Sequence, residues 1–407
     1  MSTIRFFHTA DLHLDSPFKG MSALPKERLQ ELRNSTFAAF DRFIQYAVKE
    51  RPDFIVIVGD IYDGEDRSLR AQAHFQNGME QLYAKGIPVI LSYGNHDHLN
   101  GKWTRFDLPP NVHVLPKETK QVTLQIRETT VHIYGFSYPN RHVTEPMINT
   151  YPVATNNKDT LHIGMLHGSL MGNTTHDVYA PFTKEALLSK QYNYWALGHI
   201  HLRQIVNDYP PIVYSGNIQS RHRKERGIKG FYDVEMDQHC ANLDFVPTSV
   251  IVYEQLEVNC DGLIHANEIL QACESTLQQF RDISGAGVVE LKLEHIEPSA
   301  KMLFEDTTIE EWLELIRERE ELKSPAIWVQ SVHINWQDFT EYDPTVATEA
   351  VLYVIDSWDD MQWKENLKDL YQHPRGGRYL EPLSELDLEQ ISAQTKNLFK
   401  NLVSRKL

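Results

Sequence analysis

The chain has 407 residues, of which 41% are hydrophobic and 24% charged, an ordinary globular make-up with room for two or three domains. A formal net charge of −16 argues against a protein that coats DNA through lysine and arginine, although bound divalent cations would offset part of it and a basic groove can sit on an acidic body. No apolar run is long enough to cross a bilayer, the start runs into a strand without a signal-peptide core, and Cys240, Cys260 and Cys273 form no CxxC pair, so the expectation is a cytoplasmic chain with reduced thiols and no membrane partner.

In chain order, Ile4–Ala10 is an apolar strand. Pro25–Glu50 has Leu29, Leu32, Phe40, Phe43 and Ala47 near helical spacing. Phe54–Val58 is a continuous β-branched run ending at Gly59, the pattern of a strand buried on both faces. Ser68–Lys85 is a second helix and Ile87–Ser92 the next strand. Short strands follow at Val122–Ile126, Val131–Phe136, Leu161–Leu166, Tyr194–Leu197, Ile212–Tyr214 and Gly230–Met236. This order predicts an α/β fold with two packed sheets flanked by helices. Composition changes near Asp237–Asn242, after which Glu254–Val258, a helix near Leu263–Phe280, Val288–Leu293, a helix at Ile309–Arg319 and Ile327–Ile334 make a βαβαβ unit. Thr308 and Glu311 supply a capping box for its second helix. The expected domains are residues 1–250, a catalytic core; 251–336, a smaller α+β unit; and 337–407, a linker and helical tail.

Five polar clusters lie where strands end. Asp11-Leu12-His13 follows the first strand, Gly59-Asp60-Ile61-Tyr62-Asp63 the second, and Gly94-Asn95-His96-Asp97 the third. His167 follows Leu161–Leu166, and Gly198-His199-Ile200-His201 follows Tyr194–Leu197. Ligand sites gather at the C-terminal ends of strands in open α/β sheets. A lone Asp-x-His is more often chance, and a lone buried histidine is more often a satisfied core residue. Five such clusters in order, each at a strand end, point instead to a binuclear metal site. Two cations about 3.5–4 Å apart need a bridging carboxylate and several nitrogen and oxygen donors each. The mixture of imidazole and carboxylate suits manganese, with iron or zinc as alternatives, better than magnesium or calcium.

This ordered set resembles that of the calcineurin-like metallophosphoesterases. The opening His8-Thr9-Ala10-Asp11-Leu12-His13-Leu14-Asp15-Ser16-Pro17-Phe18 and the later Tyr214-Ser215-Gly216-Asn217 further resemble the YhaO branch of the SbcD-type DNA repair exonucleases. The resemblance implies a metallophosphoesterase core over about the first 240 residues, and the βαβαβ unit is similar in element order to the capping domain of such nucleases. It implies that Asp11, His13, Asp60 and His201 hold one divalent ion, and Asp60, Asn95, His167 and His199 the other, with Asp60 bridging. A water or hydroxide between the ions is the implied nucleophile. His96, no ligand in the family, would donate a proton or hydrogen bond to the phosphate or leaving oxygen, and Asp63 would orient its ring.

The implied activity is metal-dependent hydrolysis of DNA phosphodiesters. Related protein phosphatases carry arginines where this chain has Gly64 and Tyr93, which removes a bidentate grip on a phosphomonoester. Nucleotides and phosphoproteins remain alternative substrates, and a subunit with a vestigial site fits a complete ligand set poorly. Arg221, Arg223 and Lys224, in a basic run after Gly216-Asn217, are candidates for contact with DNA phosphates or else a solvated loop. Asp97 is expected behind the ligands, Asp15 and His98 in polar packing, and Trp312, Trp328 and Trp336 in a core. In the tail, Leu388, Ile391, Thr395, Leu398 and Leu402 recur at heptad spacing after an N-cap signal at Ser384. The resemblance assigns that segment to docking on an SMC-like coiled-coil ATPase of the SbcC type, and homodimer formation stays open.

Overall fold

A computed structural model of the chain describes residues 3–18, 24–64, 68–101, 106–155, 159–171, 179–297, 300, 302–305, 307–336, 346–371, 380, 383 and 385–404. The strands are β1 (Ile4–Ala10), β2 (Phe54–Val58), β3 (Val89–Ser92), β4 (Val112–Val114), β5 (Lys120–Ile126), β6 (Thr129–Gly135), β7 (Thr160–His167), β8 (Tyr194–Gly198), β9 (Gln204–Asn207), β10 (Ile212–Tyr214), β11 (Gly230–Met236), β12 (Ala241–Pro247), β13 (Val252–Asn259), β14 (Gly287–Ile296) and β15 (Ile327–Trp336). The helices are α1 (Lys26–Glu50), α2 (Leu69–Tyr83), α3 (Lys184–Leu188), α4 (Ala266–Ser284), α5 (Met302–Glu305), α6 (Ile309–Glu320), α7 (Val346–Ser357), α8 (Asp360–Asn366), α9 (Lys368–Tyr371) and α10 (Glu385–Ser404).

Among the described residues, these strands build two six-stranded sheets, ordered β12-β11-β1-β2-β3-β4 and β5-β6-β7-β8-β10-β9, and a three-stranded sheet ordered β13-β14-β15. β1 to β4 run parallel to one another, as do β6, β7, β8 and β10. The two large sheets pack face to face through Phe6, Val56, Val58 and Ile90 on one side and Ile163, Met165, Ala196 and Val213 on the other. Each such buried side chain contributes roughly 1.5–3 kcal/mol. The outer face of the first sheet is covered by α1 and α2 through Phe40, Phe43, Phe75, Met79 and Leu82. That double burial is why β2 reads as an unbroken apolar run rather than as an alternating strand.

The α/β sandwich expected from the sequence is therefore present. Three edge strands, β4, β9 and β12, were not foreseen. β4 and β9 are only three and four residues long and partly exposed, too short for a period to show, whereas β12 alternates Ala241, Leu243 and Phe245 on the core side with exposed Asn242 and Asp244 and was passed over as a change of composition. The unit from β13 to β15 is a parallel βαβαβ layer with its own apolar core, in which Trp312 is buried. Thr308 and Glu311 form the expected capping box. This unit is fastened to the first by Leu29, Leu32 and Phe18 packing on Tyr253, Val288 and Trp328. The side chain of Trp336 lies outside the described residues. No helix among those described is long and apolar enough to cross a membrane.

Candidate metal centre

The parallel registers bring the strand ends level. Ala10 pairs with Val58, Val58 with Ser92, and His167 with Gly198, so the residues leaving β1, β2, β3, β7 and β8 emerge at one rim where the two sheets meet. Backbone bonds then zip the departing loops together: Asp11 N–H donates to Gly59 O at 3.1 Å, His13 N–H to Asp60 O at 3.0 Å and Gly168 N–H to Gly198 O at 3.2 Å. Asp11, His13, Asp60 and His199 all have positive φ, at 51°, 42°, 52° and 94°. Non-glycine residues rarely adopt this region, and holding each there costs about 1–3 kcal/mol. Four of the predicted donors share that strain, which aims their side chains inward.

Asp11, His13 and His201 offer donor atoms within 4.8 Å of one another, and so do Asp60, His167 and His199. His13 Nε2 lies 3.0 Å from His201 Nε2 and 3.8 Å from Asp60 Oδ2. His167 Nε2 lies 3.4 Å from Asp60 Oδ2 and 2.9 Å from Asn95 Oδ1, which is also 3.3 Å from His199 Nδ1. Asp60 thus stands between the groups, as a bridging carboxylate must. His167 Nδ1 faces the Val58 carbonyl at 3.1 Å, and a ring nitrogen facing a carbonyl carries the proton. The lone pair on Nε2 then points at oxygens that also accept, a conflict that a cation among them resolves. His201 follows the same logic: Nδ1 donates to Glu225 Oε1 at 2.6 Å, leaving Nε2 to coordinate.

The charges agree with this picture. Burial raises the Asp11 carboxyl to about 6 against the pull of His167 and His201. Burial would raise Asp60 too, but His167 holds it well below the carboxylate range. Burial opposes a charged His167, yet the Asp60 carboxylate lifts that imidazole to about 9. Protons here sit where divalent ions would, and ion binding must displace them. The donor set fits two divalent cations of the manganese, iron and zinc type.

His96 lies beside the donors, with its backbone N–H donating to Asp60 Oδ1 at 2.9 Å and its Nδ1 3.5 Å from Asp63 Oδ1. Asp63, expected to orient His96, also lies 3.5 Å from His13 Nδ1, 2.8 Å from Ser16 Oγ and 2.9 Å from Arg221 Nη1. Arg221 is accordingly placed differently from the phosphate contact expected of it: its side chain is 15% exposed and bonded to Asp63. Arg223 and Lys224 point to other carboxylates, Glu290 at 3.7 Å and Asp387 at 2.5 Å. Asp97 lies behind the ligand-bearing loops. Its carboxylate accepts from Ile61 N–H at 2.7 Å and Gly94 N–H at 2.6 Å, tying the second and third loops together. A third group, His13, Asp63 and His96, also offers donor atoms within 4.8 Å of one another, and Asp15 and His98 stay outside all three.

Sequence reasoning missed Glu225. It is buried, accepts from His201, from Asn217 Nδ2 at 2.8 Å and from the Arg221 N–H at 2.7 Å, and is held well below the usual carboxylate range because His201 outweighs its burial. A single acid inside a basic run was its only signal.

With this geometry in hand, three likenesses bear on the chain. The family model of the calcineurin-like phosphoesterases matches residues 4–212. The chain is 33% identical over 405 residues to the uncharacterized metallophosphoesterase YhaO of Bacillus subtilis (strain 168), covering 98% of both chains. It is 27% identical over 287 residues to the SbcD component of the nuclease SbcCD of Staphylococcus epidermidis, covering 63% of this chain and 72% of that one.

Proposed function

The chain belongs to the calcineurin-like phosphoesterase family, and from that premise we propose that this metallophosphoesterase is a DNA nuclease of repair or recombination that cleaves phosphodiesters. The observation that carries the choice of a diester is the state of the guanidinium groups. Gly64 and Tyr93 occupy the positions where related protein phosphatases have arginines. Arg221, the arginine that reaches the rim among the described residues, is bound to Asp63. Among the described residues a dianionic monoester therefore finds no guanidinium at these two positions to clamp it, whereas a diester, with one charge less, needs none. The nuclease named among the relatives supports the same reading.

When bound, two divalent ions supply charge against the phosphoryl oxygens and an acidified water. Asp60 fixes the spacing of the two donor groups and, through the His96 N–H, the position of His96. His96 turns Nδ1 toward Asp63 and leaves Nε2 free to give a proton or hydrogen bond to the departing oxygen. His13 and His96 both face Asp63, so one carboxylate aligns a metal ligand and an acid together. An acidic body that binds DNA weakly would be helped by a coiled-coil ATPase of the SbcC type in the cytoplasm, docked on the helical tail.

The test is manganese-dependent digestion of end-labelled single- and double-stranded DNA beside bis-p-nitrophenyl phosphate and p-nitrophenyl phosphate. The reading expects cleavage of DNA and of the diester over the monoester. Preference for the monoester, with intact DNA, would replace it by a phosphatase acting on nucleotides or phosphoproteins.

A further inference from the structure

Behind His201 the surface opens into a second hollow. This cavity, of about 420 Å³, lies where the core meets the three-stranded sheet, and His201, Asn217, Arg203, Arg226, Lys229 and Glu254 help to line it. Three of these six side chains are permanent cations and one is an anion. Arg226 reaches Glu290 at 3.3 Å, but the other two cations have no carboxylate within ion-pair distance among the described residues. Arg203 lies at the exposed rim with its guanidinium 3.7 Å from the centre of the Phe245 ring. Lys229 is only 5% exposed, and its ammonium makes one long contact, 3.5 Å to the His201 carbonyl. The nearest acid in sequence, Glu225, is already held by His201, Asn217 and Arg221.

A buried ammonium with three donors and one weak acceptor is poorly satisfied. Such a group gains by meeting an anion. The link from the Lys229 ammonium to the carbonyl of a predicted metal ligand places that anion one step from the metal centre. His201 lies in both the cavity wall and the candidate donor group, so the two sites adjoin.

We infer that the Arg203–Lys229 cavity is a subsite for a phosphate of the substrate strand next to the one that is cut, with Lys229 as its buried contact and Arg203 at its mouth. The inference rests on the reading of the chain as a DNA phosphodiesterase. It adds that affinity for DNA on this acidic surface is concentrated in one built pocket, in place of a broad basic patch.

The experiment measures binding of a fluorescein-labelled oligothymidylate with phosphorothioate linkages to the manganese-loaded full chain across a salt series. Lys229→Gln should weaken binding about 10-fold and lower the salt slope by about 1, as loss of one phosphate contact does. Arg203→Gln, at the rim where folding is not at stake, should lower the slope likewise. In the unaltered protein, replacing single linkages by neutral methylphosphonate should weaken binding sharply at one position, and Lys229→Gln should erase that sensitivity. Unchanged slopes in both variants, with no position singled out by methylphosphonate, would overturn the subsite while DNA cleavage by the unaltered chain left the nuclease reading standing. Failure of the unaltered chain to bind or cut any oligonucleotide would overturn both.

Discussion

At the scale of single residues, the centre divides its side chains into those that hold charge and those that move a proton. We propose that His96 is of the second kind: its backbone N–H donates to Asp60 and its ring faces Asp63, although with His13 and Asp63 it also offers donor atoms within 4.8 Å of one another. His96→Asn should therefore lower diester turnover on the order of 10²–10⁴-fold while both ions stay bound. Metal analysis of the purified variant beside its rate decides the matter, and loss of an ion would make His96 a ligand. Most of this site was legible in the sequence because Asp11, Asp60, Asn95, His167 and His199 each follow a strand closely, and strand ends are easy to place. Glu225 and the true partner of Arg221 were not legible. Both sit on a loop after β10, and only the folded loop shows that the acid faces inward and the guanidinium reaches Asp63.

At the scale of elements, the loops that leave the strands are packed as closely as the core. Gly94 follows β3, and a Cβ built there would lie 2.3 Å from Asp60 Oδ1 and 2.8 Å from His167 Nε2. The atoms in the way are side-chain ends, so the fold can absorb the methyl group by moving them, at the expense of the donor geometry. Gly94→Ala is expected to weaken metal binding about 10- to 100-fold, the range seen when the shell around a metal site is disturbed. The melting temperature of the metal-free chain should hardly change. Competitive metal titration and thermal melts in chelator separate the two effects, and a variant with normal affinity would show that Asp60 and His167 need not stay where they are. The sheets themselves were read from unbroken apolar runs, and the runs were sound guides wherever both faces are buried. At β9 the strand is too short and exposed for a pattern to show, and at β12, where one face meets water, the signal is alternation and not an apolar run.

At the scale of the whole molecule, the tail differs most from its sequence reading. The heptad stripe of α10 was expected to face a partner. Leu388 is buried instead against Ile355 and Trp363, with Ile391 beside it, so that part of the stripe closes the tail on itself. Ser384 and the side chains of Leu398 and Leu402 lie outside the described residues. Among the described side chains of the tail, the most exposed apolar groups are on α7 and α8, where Tyr353 is 75% and Met361 80% exposed. If the tail docks on a coiled-coil ATPase, these are the groups to carry it. Tyr353→Glu combined with Met361→Glu should abolish co-purification with that partner and leave metal-dependent cleavage of bis-p-nitrophenyl phosphate intact. A complex that survives both changes would show that the tail docks by another face or not at all.

The meeting of two sheets at one rim has a consequence for biogenesis. Asp11, His13, Asp60 and Asn95 belong to strands that leave the ribosome first, and His167, His199 and His201 to strands that follow. A nascent chain halted between them holds half a chelator and can cut nothing. With the proposed ligands divided in this way, cleaving power is expected to arrive only when the later strands have docked on the earlier.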